Sequence, residues 1–109
     1  MKNKIKEYKK CLDEGRFYDA HEVLEAIWFP RRFEDDNEIK LLKGFINAAV
    51  SFELIKRGRK KAAKNVWLNY LKYRQLLFKT ETPYLNDYYR LSRTVERYKT
   101  SLVSHISTL

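Results

Sequence analysis

The 109-residue chain has a single cysteine, three glycines, two prolines and two histidines. Each shortage excludes something. Cys11 has no second thiol with which to close an internal disulfide, which fits a reducing compartment. So little Gly and Pro leaves few turn signals for a many-stranded β fold. Two imidazoles, His21 and His105, with one thiol do not supply a closed four-ligand zinc site. No long hydrophobic run is present. The longest apolar stretch, Phe45 to Ile55, is interrupted by Asn47, Ser51 and Glu53, and a membrane span needs about 20 apolar residues. The N-terminus, Met1-Lys2-Asn3-Lys4-Ile5-Lys6-Glu7, carries no apolar core of a secretory leader. A soluble, cytoplasmic protein without membrane attachment is expected, and no cofactor is expected.

What is present is apolar and basic. Hydrophobic residues make up 44% and aromatics 15%, a globular composition. A chain of this length buries roughly 65% of its unfolded surface, enough for one core, so residues 1–109 are expected to form one domain. The net charge is +9 and unevenly spread. Lys2, Lys4, Lys6, Lys9 and Lys10 crowd one end. Lys56, Arg57, Arg59, Lys60, Lys61 and Lys64 crowd a later junction. Asp13, Glu14, Asp19, Glu22 and Glu25 make the segment between them acidic. Such asymmetry permits an anionic partner without requiring one.

Apolar residues recur with helical spacing throughout, and no segment alternates long enough for a strand. The pattern predicts helices over about 3–14, 17–29, 37–57, 60–79 and 84–104, in a compact antiparallel all-α bundle of about five helices. Gly15 and Gly58 end the first and third helices. Pro30 is expected to stop the second. Asp36 or Asn37 caps the third. The fourth directs Ala63, Val66, Trp67, Tyr70, Leu71, Leu77 and Phe78 inward. Thr82 with Pro83 opens the fifth, which carries Leu85, Tyr88, Leu91, Val95, Tyr98 and Leu102 inward.

The chemistry-bearing segment is Ala20-His21-Glu22-Val23-Leu24-Glu25, followed by Trp28. At 100° per residue, Phe17, Ala20, Leu24, Ile27 and Trp28 share an arc. His21 lies inside it and Glu25 at its margin, while Asp19 and Glu22 face solvent. A carboxylate four residues from an imidazole holds one tautomer, and the pair suits a general base or proton relay. The zinc-protease helix has a second His where this chain has Glu25, so no metal site is expected. The competing reading is a structural pair. On the third helix, Gly44, Asn47 and Ser51 form a small polar stripe. It either admits a close helix neighbour or presents the Asn47 amide between helices. Glu53 interrupts the apolar arc of Ile39, Leu42, Ile46, Ala49 and Val50, and its escape to water at the helix end or pairing with Arg57 is expected.

Gly15-Arg16-Phe17-Tyr18-Asp19-Ala20-His21-Glu22-Val23-Leu24-Glu25 with Trp28, then Leu42-Lys43-Gly44-Phe45-Ile46-Asn47-Ala48-Ala49, then Arg57-Gly58 and Ala62-Ala63, resemble domain of unknown function family 309. The resemblance covers about residues 5–75. It implies a small helical bundle with the His, Glu, Trp and amide residues between helices, and it implies no activity. The family usually has Gln at the position of Asn47 and often a His near that of Leu54; this chain has neither.

Three readings follow. The first is a polar interhelical pocket for a small ligand, with His21 and Glu25 as candidate catalytic residues and Trp28, Asn47 and Gly44 as ligand contacts. The second is a helical protein-interaction module, in which a homo-oligomer is possible. The third is a nucleic-acid-binding module. It uses Lys56, Arg57, Arg59, Lys60, Lys61 and Lys64, with Arg90, Arg93 and Arg97 beside Tyr84, Tyr88 and Tyr89. No recognised nucleic-acid motif accompanies that third reading.

Overall fold

The computed structural model describes the backbone of residues 1–107 and the side chains of residues 1–103. Five α-helices follow one another, with no strand among the described residues: α1 Lys2–Asp13, α2 Phe17–Trp28, α3 Asn37–Lys56, α4 Lys60–Arg74 and α5 Leu85–Ser107. Short 3₁₀ turns, Phe29–Arg31 and Gln75–Phe78, extend α2 and α4. Among the described residues, no helix is long and apolar enough to cross a membrane.

The helix ends follow from local chemistry. Gly15 and Gly58 take φ of +72° and +77°, a region where an L side chain crowds its own backbone. Their turns return amides to the last helical carbonyls, Arg16 N to Cys11 O and Arg59 N to Leu54 O, both 2.8 Å. Asp36 is extended, and its carboxylate accepts from the Ile39 amide at 3.1 Å, so it is the cap of α3.

Two sequence expectations need correction, and a third is met with a detail added. The α-helix does end before Pro30, with Trp28 its last residue, although Phe29 keeps helical angles (φ −57°, ψ −47°). The ring enters the start of a 3₁₀ turn, where no N–H is required. Phe78 is not inward but 79% exposed. The chain tightens from α to 3₁₀ at Gln75, which changes the rotation per residue and carries Phe78 out of phase while Leu77 stays buried. Helix α5 begins at Leu85 rather than Pro83. Thr82 still helps, accepting from the Tyr84 amide at 3.3 Å.

Helix α3 is the central element because two of its faces are apolar. Besides the expected arc, Leu41, Phe45, Ala48, Phe52 and Ile55 bury a second one, and a helix apolar on most sides is enclosed. Phe17 of α2 meets Phe52, and Trp28 meets Lys43, so α2 and α3 run antiparallel. Trp67 meets Phe52, and Tyr73 lies by Gly44, so α4 is antiparallel to α3 on its other face. Tyr70 reaches Glu96 and Trp67 reaches Lys99, making α5 antiparallel to α4. The buried cluster draws on all five helices. Phe45 stacks on Tyr88 with centroids 6.1 Å apart and also meets Tyr8 and Tyr70.

The buried tyrosines end on acceptors, as a phenol taken from water requires. Tyr8 donates to Phe45 O at 2.7 Å, Tyr70 to Glu96 at 2.9 Å and Tyr88 to Glu38 at 2.6 Å. Burial pushes all three phenols above their ordinary range. Among the described residues, no buried side-chain polar atom lacks a partner.

Candidate functional site

The motif of α2 lies along its seam with α3, half-buried rather than in the core. His21 Nε2 stands 3.6 Å from Glu25 Oε2, and the side chains are 22% and 33% exposed. His21 Nδ1 is 3.3 Å from the Tyr18 carbonyl. A carbonyl oxygen only accepts, so this contact is a hydrogen bond in the tautomer that carries its hydrogen on Nδ1. The Tyr18 ring packs 5.4 Å from the imidazole. Asp19 and Glu22 face solvent, as the helical wheel predicts.

The other motif residues are engaged within the fold. One face of Trp28 is covered, since Lys43 Nζ sits 4.1 Å from a ring centroid, a cation–π contact. The amide of Asn47 turns back onto its own helix, donating to Lys43 O at 2.8 Å. No hydrogen bond joins it to His21 or Glu25. Gly44 packs against α4, the first of the two alternatives left open for the small stripe. An added Cβ would stand 2.8 Å from Tyr73 Cβ, so the missing side chain is what lets α4 approach α3. Ser51, on the same small stripe, donates to Ala48 O at 2.7 Å. Glu53 pairs with Arg57 at 3.0 Å, as expected from their spacing.

Lys43 is the seam residue that sequence reasoning missed. Its signal was its place four residues before Asn47, on the partly exposed stripe Lys43, Asn47, Val50 and Leu54. No group of three or more His, Cys, Asp or Glu capable of holding a metal occurs among the described residues. Cys11 is buried, and burial raises its thiol, so it is a poor nucleophile. His105 lies outside the described side chains.

The basic residues divide into committed and uncommitted groups. Arg57 is held by Glu53, and Lys56 reaches Gly15 O at 3.4 Å. Arg59, Lys60, Lys61 and Lys64 are exposed and enter no ion pair among the described residues. From Leu54 to Thr80 the chain has nine Lys or Arg and no Asp or Glu. Tyr88, expected as a stacking residue, is fully buried and unavailable to a base.

Residues 5–66 match the family model described as Domain of unknown function (DUF309). An uncharacterized protein of Aquifex aeolicus (strain VF5) is 34% identical over 62 residues, which are 57% of this chain and 18% of that protein. The chain therefore spans under a fifth of that relative's length. No solved structure matches. The family match covers Ile5 through Val66, and with it most of α1, all of α2 and α3, both motifs and the His21–Glu25 seam; more than half the chain lies under it, and the chain belongs to the DUF309 family.

Proposed function

We propose that the α2–α3 seam binds a small polar molecule carrying a hydroxyl or ammonium group, with His21 and Glu25 as its two acceptors. One observation carries this reading. With Nδ1–H directed to Tyr18 O, a neutral His21 presents a bare Nε2 to Glu25, and an ionised carboxylate also only accepts. Two acceptors 3.6 Å apart need a proton between them. It comes either from a second ring proton, giving an ion pair, or from an outside donor. Exposure of 22% and 33% leaves room for that donor. A group held there would meet a hydrogen-bonded base, the geometry proton transfer requires. Lys43 on Trp28 adds a positive edge to the seam.

The test compares wild type with His21→Ala by thermal shift against a panel of hydroxyl- and amine-bearing metabolites. His21 is outside the buried cluster, so the substitution alone changes stability by less than about 1 kcal/mol. A true ligand at about a hundred times its Kd raises the wild-type Tm by roughly 10 °C and leaves His21→Ala unmoved. Equal shifts in both proteins, or none in either, return the pair to a structural role.

A further inference from the structure

We propose that the outer face of α5, together with the exposed ring pair Phe78–Tyr89, is a binding surface for single-stranded nucleic acid. Arg90, Arg93 and Arg97 line an open groove of about 980 Å³ with Thr94, Glu96, Thr100 and Ser101. The three arginines are exposed and take part in no ion pair among the described residues. The one carboxylate in the groove is already committed: Glu96 accepts from Arg74 at 2.7 Å and from Tyr70 at 2.9 Å. Three guanidiniums outside any ion pair among the described residues therefore stand in a row; Asp13, which lines a neighbouring cavity with Arg97, is itself held by Lys9 and Tyr98. The helical rise spaces them by about 4.5 and 6 Å along the axis. A row of that kind fits a polymeric anion, whereas a lone phosphate needs donors that converge on one point.

The aromatic pair selects the kind of polymer. Phe78 is 79% exposed and Tyr89 36%, and their rings meet edge to face at 6.2 Å. Tyr89 lies one turn before Arg93, on the same outer face. Exposed rings beside a basic track are what unpaired bases stack on, and this works for any base because each has a π face. Bases in a duplex are stacked on one another and offer no such face. The row's other neighbours, Thr100 and Ser101, are short and polar, unlike the apolar side chains with which a helix enters a membrane interface. The surroundings add to the attraction. Lys99 lies near enough to Lys64 that its charged form is disfavoured, after burial, by that second cation. Helix α4 on that flank carries no acid. A field of one sign speeds the arrival of a polyanion.

The experiment is fluorescence anisotropy with a labelled oligothymidylate of about 12 nucleotides, titrated from about 20 to 200 mM salt. Binding at low salt that weakens steeply with salt is expected. The slope of log affinity against log salt is about −0.7 per phosphate neutralised, so Arg90→Gln/Arg93→Gln/Arg97→Gln flattens it by about 2. Arg93→Gln alone flattens it by about 0.7. Phe78→Ala weakens binding about 5- to 100-fold and leaves the slope unchanged. All these side chains are exposed, and circular dichroism checks that each variant is folded. The proposal is overturned by no binding at low salt, by a slope indifferent to the arginines, by a hairpin duplex binding more tightly than the single strand, or by binding only to phosphatidylserine vesicles.

Discussion

Gly44 packs the backbone of α3 against α4 so closely that a single methyl group decides the spacing of two helices. Alanine there would gain about 1 kcal/mol in helix propensity. Its Cβ, however, would stand 2.8 Å from Tyr73 Cβ, an atom fixed to the α4 backbone that cannot swing away. Overpacking of this kind costs about 1–3 kcal/mol. Gly44→Ala should therefore lower stability by about 1–2 kcal/mol net, read as a lower urea midpoint; a higher midpoint would show that α4 yields freely. A second residue-scale prediction concerns Asp13. Hydrogen bonds from Tyr98 and Lys9 hold its carboxyl below the usual range. A depressed carboxylate stabilises the fold above its unfolded pKa near 3.9, and that contribution is lost as pH falls through the lower folded value. Melting curves of wild type and Asp13→Asn should thus differ at neutral pH and converge below about pH 3. Tyr98, pushed up to about 12 chiefly by its burial and by Asp13, titrates at the other extreme. Its folded pKa is raised, so its contribution is present below pH 10 and lost between about 10 and 12.

At the scale of elements, the strength of the helix signals followed from how local their physics is. Asp36 caps α3 through an interaction three residues long, so local sequence narrowed the cap to Asp36 or Asn37 and the structure chose Asp36. Asp36→Ala should cost about 1 kcal/mol, measurable by urea denaturation with an unchanged m-value. Phe78 departs from the helical wheel because it sits in a 3₁₀ turn. A wheel drawn at 100° per residue loses phase when a helix tightens, and no residue in Gln75–Phe78 announces that tightening. The double face of α3 was half legible. Its first arc fits a surface helix, and the second, through Leu41, Phe45 and Phe52, makes sense only when α4 and α5 cover it.

The molecule as a whole depends on α5 more than the family match suggests. That match ends at residue 66, yet Tyr88, Leu91 and Val95 from α5 are buried against Phe45 and its neighbours. Polar ties repeat the attachment, with Glu38 accepting from Tyr88 and Thr82 and Glu96 from Tyr70 and Arg74. A chain truncated after Phe78 should fail to unfold cooperatively, because it would expose the Phe45 cluster; a sharp calorimetric transition in the truncated chain would refute this. By itself the sequence determined the helices, most of their ends, the His21–Glu25 adjacency and the excess of positive charge, since each arises from residues within one turn of each other or from simple summation. The tertiary structure decided what those residues face. It turned Asn47 onto its own helix, placed Lys43 on Trp28, gave Gly44 to α4, buried Tyr88 and left Phe78 and Tyr89 open beside three arginines. Contacts between helices depend on which faces meet, and that is fixed by the packing of all five together rather than by any one stretch of chain.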